Sequence, residues 1–221
     1  MLDGPRRSSL RPAFSDFDSL LNQAWNDPAA EAEIERRYLQ PAAILVIDFS
    51  GMVRRTDADG IIYALALARR AEREIAASIQ AHGGQIVKRV ADTAFAVFDN
   101  ASSALLAALE GHRALHGFNR ERTGRIGDGS RNEPIHGCMG LGFGPTLVIP
   151  DQDLYGSEVN RAFVLGEDIA HEGEILCSPE FAAALSPFPE GVGAHRAPAA
   201  REEEAGFPFL VLRDYREGEP A

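Results

Sequence analysis

The sequence predicts an α+β sandwich, a mostly antiparallel sheet with helices packed on one face. Three observations carry this expectation. Short apolar runs of strand character alternate with longer segments of helical period. Their order is strand, helix, paired strands, helix, strand, helix, strand. Glycine and proline mark the joints between them. With 221 residues the chain has room for one domain of generous size and a tail.

Residues 1–40 read as a separate N-terminal tail and helical arm. The first 13 are rich in Pro, Arg and Ser and are expected to be disordered. Phe14, Phe17, Leu20, Leu21 and Trp25 then fall at helical spacing, with Ser15 or Asp16 as N-cap. Asp27-Pro28 opens a second helix that runs to Leu39. This arm carries more aromatic surface than a lone helix tolerates, so it is expected to pack on the domain or on a partner chain.

The compact domain is placed at residues 41–213. Its first strand is Ile44-Leu45-Val46-Ile47-Asp48, apolar on both faces and bounded by Pro41 and Gly51. Asp59 is expected to cap a long helix over 60–81, with Ile61, Leu65, Ala68, Ala71, Ile75 and Ile79 facing the core. Gly83-Gly84 ends it, and a hairpin with Asp92 at its turn follows. Residues 100–116 read as a helix, and the polar stretch 123–134 as an exposed loop. Gly137 to Gly144 alternates small and apolar residues, a strand that something approaches closely. A helix over 159–167, a strand over 174–177 and a helix capped by Ser178 come next. Residues 198–205 read as a charged spacer, 207–212 as the last strand, and 214–221 as a disordered end.

The net charge of −11 argues against general binding of nucleic acid or anionic membrane. No apolar run reaches the 18 residues of a transmembrane span, and no signal-peptide pattern opens the chain. Cys138 and Cys177 fit buried, reduced thiols, and the expected location is cytoplasmic.

Two acids stand out. Asp48 ends a strand buried on both faces, where a carboxylate is costly unless it is paired or coordinated. An isolated acid there can simply cap the next turn, but Asp92 supplies a second one at the end of a neighbouring hairpin. Two strand-end carboxylates can hold hard divalent cations, which take oxygen ligands.

These and further segments, in order from Ala42 to Ser178, resemble the catalytic domain of the class III nucleotide cyclases. Asp48-Phe49-Ser50-Gly51 resembles the first metal-aspartate motif. The stretch from Gly84 through Lys88 to Asp92 resembles the hairpin carrying the second. Gly142-Phe143-Gly144-Pro145 resembles the family's "His-Thr-Gly-Pro" turn, without its His and Thr. Asp153 to Asn160 resembles "Asp-x-x-Gly-x-x-Val-Asn", and Gly173-Glu174-Ile175 the strand that follows.

The resemblance implies a ferredoxin-like sandwich of cyclase type and a head-to-tail homodimer with shared active sites. It implies two Mg²⁺ or Mn²⁺ ions per site, held by Asp48, Asp92 and the Phe49 carbonyl, with Gly51 beside the substrate. Lys88 and Asp153 of the other chain match the purine-reading positions. An ammonium donor with a carboxylate acceptor suits adenine over guanine, so ATP is favoured as the nucleoside triphosphate. Asn160 matches the residue that orients the ribose. The implied activity is adenylate cyclase, a phosphorus–oxygen lyase forming 3′,5′-cyclic AMP and pyrophosphate.

One position departs from the pattern. Four residues after Asn160 the family carries a cation that stabilises the transition state, and here stands Val164. Losing one such donor costs roughly 10²–10³-fold in rate. Arg161, on the same helix, is the candidate to replace it. The competing reading is a catalytically degenerate domain that binds nucleotide or a protein partner.

Overall fold

The computed structural model describes residues 16–123 and 133–214. The expectations for Ser15, the N-terminal tail, most of the 123–134 loop and residues 215–221 lie outside these. By its contacts the chain separates into two units, Met1–Leu39 and Gln40–Ala221.

The first unit holds α1 (Asp16–Ala24) and α2 (Pro28–Tyr38). Asp27 caps α2, its Oδ1 accepting from the Ala29 N–H at 2.9 Å, and Pro28 takes the first helical position, where no N–H is needed. Phe17 meets Tyr38 edge to face at 5.2 Å, which ties the two helices together.

The second unit is the mainly antiparallel sheet expected, but its helices lie on both sides and not on one face. Its strands are β1 (Leu39–Phe49), β2 (Gln85–Val90), β3 (Thr93–Phe98), β4 (Gly137–Ile149), β5 (Asp153–Tyr155), β6 (Ile175–Cys177), β7 (Val192–Arg196) and β8 (Leu210–Asp214). They lie in the order β2-β3-β1-β4-β6-β8-β7, with β5 paired to β4. The pairs β1–β3, β2–β3, β4–β5, β6–β8 and β7–β8 are antiparallel, and β4–β6 is parallel.

Period-two alternation along β1 sets the two faces. Leu45, Ile47 and Phe49 join the larger core with α4 (Ile61–Ala81) and α5 (Ala101–Thr123). Ile44 and Val46 point the other way, into a cluster with Val159, Ala162 and Phe163. Asp48 shares that second parity.

The second face explains the glycine-rich strand. On it lie α6 (Ser157–Phe163) and a π-helical turn (Val164–Ile169). A Cβ on Gly140 would stand 2.0 Å from the Ala162 carbonyl oxygen, and one on Gly142 would stand 2.5 Å from that of Glu158. Only strands without side chains at these positions let a helix backbone rest directly on them.

Several local expectations need correction. The segment expected to run as one helix from Asp59 is preceded by another, α3 (Met52–Asp59), and Gly60 at φ 89° divides the two. Asp59 therefore ends α3, and Gly60 stands at the N-cap of α4. Ala68, Ala71, Ile75 and Ile79 are buried as expected, but Ile61 and Leu65 are 69% and 48% exposed. Ala64 and Leu67 take the core-facing places in the first two turns. Residues 198–205 are not a spacer: α8 (Ala199–Ala205) is helical, and Arg201 pairs with Glu174 at 2.7 Å. Strand β7 had no expected counterpart. The remaining helix, α7 (Pro179–Ala184), begins as expected, the Ser178 hydroxyl accepting from the Phe181 N–H at 3.1 Å.

Candidate active site

The β1–β3 pairing brings Asp48 beside the β2–β3 turn, which carries Asp92. That turn is two residues, Ala91-Asp92, between the paired Val90 and Thr93. Ala91 sits at φ 52°, a left-handed conformation costing a non-glycine residue roughly 1–2 kcal/mol. Strain of this kind concentrates at functional turns.

Asp48 and Asp92 line one open cleft of ≈ 1280 Å³ together with Phe49, Gly51, Arg54 and Glu167. Met52, Val53, Ile61 and Leu65 form its apolar wall. The exposed residues at the start of α4 are thus lining a cavity, which is why they do not join the core.

Glu167 is a third acid, supplied by the π-turn. The Thr93 hydroxyl lies 2.5 Å from Glu167 Oε2 and 3.4 Å from Asp48 Oδ1, so its one proton serves Glu167 first. Burial pushes the Asp48 carboxyl up to about 7, and the charges of Glu167 and Asp92 add to this. The Phe49 N–H and the Thr93 hydroxyl pull the other way without offsetting it. Among the described residues no Lys, Arg or His forms an ion pair with Asp48, Asp92 or Glu167.

The donor set is oxygen only, which suits a hard divalent cation. Among the described residues no three side chains already form a closed metal cage.

The remaining expected residues lie elsewhere. Lys88 and Asp153 are brought together, Nζ to Oδ1 at 2.5 Å, and neither lines the cleft of Asp48 and Asp92. Lys88 also stands 4.5 Å over the Phe95 ring. Burial opposes charge on Asp153, but the hydrogen bond from Lys88 holds its carboxyl below the ordinary carboxylate range. Asn160 is exposed on α6. Arg161 is held by Glu158 at 2.6 Å and Glu180 at 2.8 Å, and stacks over Phe207. Val164 packs on the apolar cluster of Leu165, Ile169, Leu176 and Phe209 and does not line the cleft.

The fold finds its match among solved structures. An adenylate/guanylate cyclase/hydrolase from Silicibacter pomeroyi is 26% identical with a TM-score of 0.64, over 79% of this chain and 95% of that one. The chain has the fold of the class III nucleotide cyclase catalytic domains. The adenylyl cyclase CyaB from P. aeruginosa is 17% identical with a TM-score of 0.62, covering 82% of this chain and 98% of that one. The guanylate cyclase domain of RhGC from Catenaria anguillulae, in complex with GTP, is 16% identical with a TM-score of 0.60, covering 78% and 94%. No protein-family model and no curated protein matches the chain by sequence. Adenylyl and guanylyl cyclases resemble it almost equally, so the cyclase fold by itself does not choose the base.

Glu167 and Arg54 were not among the residues expected from the sequence. Glu167 depends on the π-turn, which no apolar period announces. Arg54 depends on α3, whose apolar residues are too few to signal a helix.

Proposed function

We propose that the chain is a nucleotide cyclase converting ATP to 3′,5′-cyclic AMP and pyrophosphate at sites shared between two copies. The observation that carries this reading is a division of labour. Asp48 and Asp92 line one cleft and, among the described residues, no cation is paired with either, while the preformed Lys88–Asp153 pair lies outside it. In a head-to-tail dimer the pair of one copy would complete the cleft of the other.

Asp48, Asp92 and the Phe49 carbonyl would hold Mg²⁺ or Mn²⁺, two per site, and such ions supply activation of the ribose 3′-hydroxyl and neutralisation of the triphosphate. The 3′-oxygen bonds to the α-phosphorus, and the bond from that phosphorus to the bridging oxygen breaks, releasing pyrophosphate. Gly51, at φ 73°, keeps the backbone open for close approach of the phosphates. Lys88 would donate to adenine N1 and Asp153 accept from its 6-amino group; guanine presents the reverse pattern. Asn160 orients the ribose from the exposed side of α6. Catalysis is assigned to residues 41–213. No described helix is long and apolar enough to cross a membrane. Cys138 and Cys177 are unpaired and buried, their thiols pushed up to about 12, consistent with the cytoplasm where ATP is found.

A second reading, a degenerate domain that binds nucleotide without turnover, is favoured by one feature. Val164 is engaged in apolar packing, and Arg161 is engaged by two carboxylates.

Incubation with ATP, GTP, CTP and UTP separately, under Mn²⁺ and then Mg²⁺, with products identified by mass spectrometry, tests the proposal. Cyclic AMP is the expected product. A different cyclic nucleotide would overturn only the base assignment, and no cyclic product with bound nucleotide would establish the second reading.

A further inference from the structure

The cleft holds one cation among its described lining residues, and it is not on α6. Arg54 lines the cleft together with the acids Asp48, Asp57, Asp92 and Glu167. Its Nη2 lies 3.3 Å from where a Cβ on Gly51 would sit, so the guanidinium rests on the backbone that leads from β1 into α3. No side chain at Gly51 separates it from a ligand approaching that turn.

Arg54 and its neighbour are held differently. Arg55 is 2% exposed and donates to the carbonyls of Glu133 and Pro134, at 3.3 and 2.5 Å. It anchors that stretch of chain. Among the described residues Arg54 pairs with the Glu133 carboxylate, at 2.6 Å, and the two side chains are 59% and 40% exposed. An exposed pair of this kind contributes ~0–1 kcal/mol, so exchange of its carboxylate for a more highly charged anion costs little. Arg55 fixes Glu133 in place, and Glu133 parks Arg54 beside the cleft.

Resting on the cyclase reading above, we propose that Arg54 is the phosphate-binding cation of this chain. It exchanges Glu133 for oxygens of the polyphosphate and supplies from α3 the positive charge that Val164 cannot. A guanidinium suits this task because its planar fork meets two phosphate oxygens at once.

The test is calorimetric binding of inorganic tripolyphosphate with Mn²⁺ to the full chain, which needs no turnover. Arg54→Met is expected to weaken binding about tenfold to a hundredfold, the range of a charged hydrogen-bonded contact. Arg54→Lys should recover part of this, keeping the charge and losing the fork. Glu133→Gln keeps the carbonyl that anchors Arg55 and removes the competitor, so it should tighten binding severalfold. Equal affinity of wild type and Arg54→Met would overturn the proposal, as would Glu133→Gln weakening binding as Arg54→Met does. Wild-type protein binding neither tripolyphosphate nor Mn²⁺-nucleotide would overturn the cyclase reading along with it. Thermal melts of the three variants confirm that each is folded.

Discussion

Asp48→Asn is expected to abolish cyclic-nucleotide formation while making the metal-free protein more stable above pH 7. The substitution keeps the shape of the side chain and removes its charge. Loss of a metal-holding oxygen removes several kcal/mol of transition-state stabilisation, so the rate should fall by on the order of 10³-fold or more. The stability change has the opposite sign. Burial and two neighbouring acids raise the folded-state carboxyl from its ordinary 3.8 to about 7. Between those values the native state binds the proton more tightly than the unfolded chain does. Stability from this group is therefore present near pH 4, declines as pH rises, and is gone above pH 7. Asparagine has nothing to ionise. After discounting for solvent in the open cleft, the gain at pH 8 is about 2 kcal/mol, or ~4–8 °C in melting temperature. Melts of both proteins at pH 5 and pH 8 with chelator, beside product assays, check the two halves. Retained turnover would contradict the metal role, and an unchanged melting difference between the two pH values would contradict the crowding of acids.

Gly140→Ala should cost 3 kcal/mol or more, near the upper end of overpacking effects. The new methyl would lie 2.0 Å from the Ala162 oxygen and 2.7 Å from the Gly166 nitrogen. Both are backbone atoms, so no side chain can swing aside, and α6 has to lift off β4. A fall in melting temperature of roughly 6 °C or more follows for a chain of this size. The same shift moves Asn160 and Glu167, so activity should fall with stability. Gly117 is the control: it lies within α5 with nothing within 4 Å of an added methyl. Gly117→Ala should stabilise by about 0.4–1 kcal/mol. Equal melting of the two variants would contradict the close packing of α6 on β4.

What could be read from the sequence was what packing writes into it. The apolar run of β1 and the alternation of glycines in β4 are direct imprints of burial on two faces and of a helix laid on a strand. The Ser178 cap is local chemistry and was equally legible. The misread segments border a cavity or solvent. In α3, Met-Val-Arg-Arg-Thr-Asp-Ala-Asp has no core-facing stripe because its apolar side chains line the cleft. Ile61 and Leu65 continue the stripe of α4 in period but meet the same cleft, and period alone does not distinguish a core from a cavity wall. In α8, Ala-Ala-Arg-Glu-Glu-Glu-Ala buries no residue, so its helicity rests on propensity and on ion pairs with distant chain. The acids Asp48 and Asp92 were found because each ends a strand. Glu167 reaches the same cleft through a π-turn, whose one extra residue per turn alters where the side chain falls.

The central claim, a cyclase site completed by two copies, is tested most directly by mixing two inactive variants. Asp48→Ala lacks the metal side of each cleft, and Lys88→Glu lacks the base-reading side. Each alone should form almost no cyclic product. Unfolding-free exchange of an equimolar mixture gives half mixed dimers, each with one intact site of two, so about a quarter of wild-type activity should return, by the symmetry of an isologous pair. Recovery near that level, rising with protein concentration, is the predicted result. A mixture no more active than its parts, while the wild type turns over, would contradict the shared site.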